Sequence, residues 1–377
     1  MTDHLDNLSY LNNVICICYY GRSGSVFLQS LLDSHPNVIT FPGCYLMGYQ
    51  DWWDSLTSHR SNEVRESFLK TYEVMFNPLL EDMPIPGCGI NSGISHGFHQ
   101  AGERKNELIA IDRHSFCEQL ERLKEDDSNE QDYTFFKKIH LALARTQNIH
   151  LDNKTRIVFN LHTPSERRAN FLIRSTLSYK ILYSIREPHI SAVSLYKHNR
   201  EFGSPVNFLT VLAVMNTCYL PKLIETRAAA IRLEDLHLDS NKALTLVAKY
   251  CDIDFHENLT KSTFLGTTWH NLARTNNVTG FNTIIPNKRH KDLVSPEDEK
   301  RFEYIFQELY LLWGYREKKV QGVGLFSLLK RFKIEQGSDY QSWAKSRYLM
   351  VKIILSNNAF MRRILGKRRR VMIPLLQ

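Results

Sequence analysis

Three groups of residues have the types and spacing for chemistry, and each follows an apolar run. The first is Gly21-Arg22-Ser23-Gly24-Ser25. A β-prone stretch at 14–20 precedes it, and Phe27, Leu28, Leu31 and Leu32 follow at helical spacing until His35-Pro36. Strand, glycine turn and helix start together make an anion site. The first helical N–H groups lack intrahelical partners, and the helix dipole is positive there. The glycines let the backbone wrap close to an oxyanion. Arg22 adds charge, and Ser23 and Ser25 add hydroxyls. The nucleoside-triphosphate pattern G-x-x-x-x-G-K-[ST] is absent, because Ser25 and Val26 follow Gly24 where the Lys would stand.

The second group is Arg186, Pro188 and Ser194. An apolar run at 179–185 delivers Arg186 to a strand end, Pro188 marks the turn, and a helix starting near residue 189 carries Ser194. A guanidinium and a helix-borne hydroxyl that converge at a strand end suit a phosphate dianion. The third is His162, which follows a strand at 156–161 and precedes Thr163-Pro164. An imidazole at a strand end titrates near neutral pH and can take a proton from a hydroxyl. Open α/β sheets bind ligands at such carboxyl ends.

In this order and spacing the motifs resemble those of the sulfotransferases that use 3′-phosphoadenylyl sulfate (PAPS). G-R-S-G-S resembles the family's 5′-phosphosulfate loop. Arg186, Pro188, Ser194 and Tyr196 match its 3′-phosphate element. The resemblance spans about 14–45 and 154–315. It implies an α/β fold: a parallel β-sheet flanked by helices, P-loop-like, with a helical insertion at about 46–153 and a basic helical C-terminal extension.

It also implies roles. Gly21, Arg22, Ser23, Gly24, Ser25, Val26 and Phe27 would hold the 5′-phosphosulfate, Arg186 and Ser194 the 3′-phosphate, and Lys288 and Arg289 would close a basic loop over the nucleotide. Arg22 stands where cytosolic members carry Lys, and would stabilise the sulfate and the leaving oxygen by charge. Val26 stands where many members have Ser or Thr. Both departures point towards carbohydrate-type relatives, so the expected acceptor is a hydroxyl of a carbohydrate or glycolipid. Sulfuryl transfer demands positioning, charge stabilisation and a base, and no metal.

His162 matches the base of the family's T-H-x-P segment, although Asn160 stands where a Lys often precedes that His by two. His140, on a helix expected at 133–145, is a second candidate for the base, against the commoner reading of a half-buried helical His. Some relatives use a Glu from the early helix, where Gln29 and Asp33 are the nearest polar groups here. The competing functions are a P-loop nucleotide kinase or NTPase and a non-catalytic nucleotide-binding relative.

The remaining elements must carry these groups. Strands are expected at 38–41 and 228–233, and Arg232-Leu233-Glu234-Asp235-Leu236 resembles the family's Y-E-D-L strand end. Helices are expected at 62–75, 115–124 behind an Asp112 cap, 165–175, 209–224, 242–251 behind a Ser240 cap, and from Ser295-Pro296 to about 312. Irregular chain is expected over most of 46–110, including a glycine-rich loop at 87–102, and again at 264–289. His96 and His99 read as residues of a solvated loop rather than as metal ligands.

Composition bounds the class. With 377 residues, 43% hydrophobic and 23% charged, the chain reads as a globular domain with additions. Seven cysteines lack any C-x-x-C spacing, and Cys16 and Cys18 share one strand face, as reduced core thiols would. A cytoplasmic location is therefore expected. A strand beginning by residue 14 leaves no room for a leader before it.

The net charge of +8 is uneven: residues 318–377 hold fourteen Lys/Arg against Glu335 and Asp339, a net of +12, which leaves −4 for residues 1–317. Residues 1–317 thus read as the domain and 318–377 as an amphipathic basic tail. Two readings of the tail stay open: a helical extension packed on the body, and a peripheral contact with anionic membrane. Nucleic acid is not expected as a partner, since no recognition motif accompanies the charge.

Overall fold

The computed structural model describes residues 7–19, 21–80, 83–85, 89–91, 93–94, 96–123, 129–162, 168–201, 228–270, 280–282 and 293–317, and beyond these 323–324, 327–328, 330, 332–335 and 376. The strands are β1 (Asn13–Tyr19), β2 (Val38–Ile39), β3 (Met83–Ile85), β4 (Gly89–Asn91), β5 (Arg156–His162), β6 (Ser178–Ile185), β7 (Ala228–Arg232), β8 (Thr263–Phe264) and β9 (Thr267–Thr268). The α-helices are α1 (Ser25–Leu32), α2 (Tyr49–Asp54), α3 (Ser61–Thr71), α4 (Arg113–Glu121), α5 (Asp132–Thr146), α6 (Asn170–Arg174), α7 (Pro188–Glu201), α8 (Leu233–Leu238), α9 (Ser240–Cys251), α10 (Pro296–Ile305) and α11 (Gln307–Leu312).

Five strands form one parallel sheet in the order β2-β5-β1-β6-β7. β1 is central and buried from Val14 onward, which is why it reads as an unbroken apolar run. The chain leaves β1 towards the β5 side and later crosses to β6 on the other side. The carboxyl end of β1 is therefore the switch point where open sheets bind ligands. The expected α/β architecture is present.

α1 buries Phe27, Leu28, Leu31 and Leu32. Its buried Gln29 donates to Thr40 Oγ1 at 2.7 Å and to the Phe41 carbonyl at 2.8 Å, and accepts from Asn160 Nδ2 on β5. At the other end of α1, Asp33 accepts from the backbone N–H groups of Leu265 and Gly266, both at 3.1 Å, and so pins the β8–β9 turn. Gln29 and Asp33 therefore serve as connectors of the fold.

The region after β2 departs from expectation. Over 46–110 the chain forms α2, α3 and the β3–β4 hairpin, where one helix was expected. The organiser is aromatic packing: the Trp52 ring lies 5.7 Å from Phe68, 5.8 Å from Tyr72 and 5.9 Å from Phe135. Adjacent Trp52-Trp53 gives no helical period, so pattern alone conceals it. The glycine-rich loop packs on the core through its described residues near Phe98. Phe98 is buried against Tyr45 and Phe264, and His96 stacks on Phe98 with centroids 5.5 Å apart.

Smaller corrections follow the same logic. α9 begins at Ser240 with Asp239 as its cap, the carboxylate accepting from Lys242 N at 3.3 Å. The helix expected at 165–175 is described only as α6, and Ser165 and the helix expected at 209–224 lie outside the described residues. The expected Asp112 and Ser295 caps are present, the latter as a capping box with Asp298. The helix from Ser295 breaks at Phe306 into α10 and α11.

Beyond residue 318, Leu328, Phe332 and Ile334 are buried, and the Arg301 guanidinium lies 3.8 Å from the Phe332 ring centre. The other described residues of the tail are few. Among the described residues, no helix is long and apolar enough to cross a membrane.

The insertion also buries an ion pair. Lys138 Nζ lies 2.6 Å from Glu130 Oε1, with side chains 2% and 4% exposed, and Ser61 Oγ donates to the same carboxylate oxygen. Removing one partner strands a buried charge. Glu130→Ala is expected to lower unfolding free energy by about 3–5 kcal/mol in urea titration, whereas a change below about 1 kcal/mol would contradict the pairing.

Candidate anion-binding site

The site grows from the peptide between β1 and α1. Gly21, Arg22 and Gly24 all take left-handed conformations, with φ of 87°, 53° and 87°. Glycine adopts this region freely; Arg22 does so at a cost of about 1 kcal/mol. A Cβ on Gly21 would come within 2.8 Å of Leu195 Cδ2, and one on Gly24 within 2.4 Å of Leu233 Cδ1. The left-handed φ calls for glycine at both positions, and a Cβ there would also force Leu195 or Leu233 to shift.

Two serines hold this loop from behind. Ser184 Oγ on β6 donates to the Ser23 carbonyl at 2.8 Å, and Ser191 Oγ on α7 donates to the Gly21 carbonyl at 2.7 Å. Ser23 is fully buried, and its own hydroxyl has no hydrogen-bond partner among the described residues. An orphaned hydroxyl at a helix start fits an oxyanion. Arg22 is exposed, Val26 is half-buried against the core, and Phe27 is buried.

The strand ends bring the other groups to the same edge. His162 ends β5 and pairs in register with Tyr19 of β1. Arg186 follows β6, the other neighbour of β1. Two strand spacings place the β5 and β6 ends about 10 Å apart with the loop between them. Arg186 is 7% exposed, and Ser194 is half-buried on the second turn of α7. Thr163, Pro164, Lys288 and Arg289 lie outside the described residues.

His140 is elsewhere. It is fully buried in α5, donates Nδ1–H to the Phe136 carbonyl at 2.7 Å, and packs its ring against Phe136 and Phe41. Burial pushes its pKa down to about 4. It is a core histidine, more deeply buried than the half-buried helical position expected for it.

Two further histidines escaped the sequence reading. His237 stacks on Phe27 with centroids 4.8 Å apart, and its Nδ1 accepts from Asn282 N at 3.0 Å. Burial and then the Arg186 charge push its pKa down to about 4. His198 shares the α7 face of Ser191 and Leu195, at spacing i, i+4, i+7, and so approaches the loop. Burial, then Arg22 and His96, push it to about 4. That spacing was the available signal. Among the described residues no group of three His, Cys, Asp or Glu is placed to hold a metal ion.

Fold and site together define an α/β protein whose glycine turn lies between the strand ends that carry His162 and Arg186. Neither a family model nor a curated protein sequence matches the chain. Solved structures similar to it include a sulfotransferase domain from the olefin synthase of Synechococcus PCC 7002, at 14% identity and TM-score 0.41 over 74% of this chain and 87% of that one. Another is a sulfotransferase domain from the curacin biosynthetic pathway, at 14% identity and TM-score 0.48 over 79% of this chain and 98% of that one.

The electrostatic effect of Arg186 on His237 gives a direct check. The His237 ring protons are expected to titrate by NMR near pH 4, and the midpoint should rise in Arg186→Ala, because the nearby cation is removed. A wild-type midpoint near 6.5, or no rise, would contradict the arrangement.

Proposed function

We propose that the chain is a sulfotransferase that uses PAPS and sulfates a hydroxyl of a carbohydrate or glycolipid. The observation that carries this reading is the pairing of two anion sites on neighbouring strand ends. One is the Gly21–Ser25 cradle with its orphaned Ser23 hydroxyl, and the other is Arg186 after β6. A nucleotide with phosphates at both the 5′ and 3′ positions matches two such sites. A nucleoside triphosphate needs the Lys that Ser25 and Val26 displace.

PAPS supplies the sulfuryl group and departs as adenosine 3′,5′-bisphosphate. The loop amides and the Ser23 and Ser25 hydroxyls would hold the 5′-phosphosulfate, and Arg186 with Ser194 the 3′-phosphate. The Phe27–His237 stack would lie against the adenine, and Lys288 and Arg289 would cover the nucleotide. Arg22 stabilises negative charge on the transferring group and the leaving oxygen by charge and hydrogen bonding; a guanidinium does not give up its proton. His162 accepts the proton of the acceptor hydroxyl as that oxygen attacks. The carbohydrate or glycolipid acceptor rests on Arg22 and Val26, the two loop residues that set this cradle apart. The cytoplasmic location and a membrane contact through 318–377 belong to the same proposal.

Calorimetry separates the readings: adenosine 3′,5′-bisphosphate is expected to bind more tightly than ATP with Mg²⁺, and the reverse order would overturn the proposal. Arg186→Ala should weaken bisphosphate binding by about 2–4 kcal/mol. His162→Ala should lower turnover about 100-fold or more with donor affinity nearly unchanged, and full activity in that variant would remove His162 as the base.

A further inference from the structure

Arg186 and Glu187 are the two-residue link between β6, which ends at Ile185, and α7, which starts at Pro188. The peptide that joins them lies outside both elements. Its N–H, on Glu187, donates to Glu234 Oε1 at 3.0 Å. The other oxygen of that carboxylate, Glu234 Oε2, accepts from the Tyr315 hydroxyl at 2.8 Å. Glu234 opens α8 beside the link, because β7 pairs with β6 through Ile185 and Arg232.

Tyr315 is held in turn. The Arg232 guanidinium lies 5.7 Å from its ring centre and donates to the Trp313 carbonyl at 3.3 Å and to both oxygens of Asp235 at 2.7 and 2.8 Å. Nearby, His189 Nδ1 meets the Tyr310 hydroxyl at 2.8 Å. The turn after α11 thus braces the link that carries Arg186.

A carboxylate one peptide away from a phosphate-binding guanidinium works against anion binding by charge alone. Its two hydrogen bonds give it a different task. We infer that Glu234, bridged to Tyr315, is a positioning residue that fixes the Arg186–Glu187 peptide and so aims Arg186 at the 3′-phosphate. This rests on the two-phosphate reading above. Glu234 acts through the Glu187 N–H rather than on the nucleotide itself. It holds the peptide through which Arg186 is seated between β6 and α7. It also couples the donor site to the C-terminal turn at 313–315.

A residue of structural value alone, favoured in the first turn of α8 by the helix dipole, would change stability without changing which nucleotide binds. The test therefore compares adenosine 3′,5′-bisphosphate with adenosine 5′-monophosphate by calorimetry on the full chain. Glu234→Ala should lose about tenfold in bisphosphate affinity and less than about twofold for the monophosphate, the size of one lost hydrogen bond. Glu234→Gln should stay within about threefold, because an amide oxygen still accepts from Glu187 N–H and the amide NH₂ donates to the Tyr315 oxygen. Tyr315→Phe, a milder change that carries the test if Glu234→Ala does not fold, should lose about threefold for the bisphosphate alone. An unchanged preference for the bisphosphate in Glu234→Ala, or in Tyr315→Phe where that variant carries the test, overturns this inference while leaving the two-phosphate reading intact. Wild-type protein that shows no preference for the bisphosphate overturns both.

Discussion

The carboxyl edge of the sheet depends on two serine hydroxyls. Ser184 and Ser191 occupy the carbonyl oxygens of Ser23 and Gly21, the groups that would otherwise repel an anion. With those carbonyls tied to β6 and α7, the loop can keep three residues in the left-handed region, one of them an arginine. That conformation persists only where its surroundings over-determine it. Leu195 and Leu233 do so by filling the space beside Gly21 and Gly24. The cradle is therefore built as much by β6, α7 and α8 as by the loop itself.

This construction explains why Arg186 stands where it does. The elements that brace the loop also carry Arg186, so the loop and Arg186 share one scaffold. Ser184 precedes Arg186 by two residues on β6, and Ser191 follows it by five on α7. A change in the seating of β6 or α7 moves the cradle and Arg186 together. His237 sits between these parts, stacked on Phe27 and kept neutral by burial and by Arg186.

The local grammar of the sequence was sufficient for this edge. Apolar runs ending in Gly21, His162 and Arg186 located three strand ends, because a buried parallel strand needs a continuous apolar run. Caps were legible at Asp112 and Ser295; at α9 Asp239, one residue earlier, takes the role read for Ser240. The region 46–110 was opaque, because ring packing among Trp52, Phe68, Tyr72 and Phe135 has no period along the chain. His96 and His99 looked solvated for the same reason: the burial of Phe98 comes from distant partners. Glu234 read as part of a strand-end motif, and its bond to Tyr315 joins residues 81 positions apart, a contact that no local pattern encodes.

The central claim is that one nucleotide spans the two anion sites. A crystal structure of the chain with adenosine 3′,5′-bisphosphate tests it directly. The account predicts the 5′-phosphate in the Gly21–Ser25 turn, within hydrogen-bond distance of Ser23 Oγ, and the 3′-phosphate on the Arg186 guanidinium. A nucleotide bound away from the carboxyl end of β1, or bound with Arg186 touching neither phosphate, would contradict it.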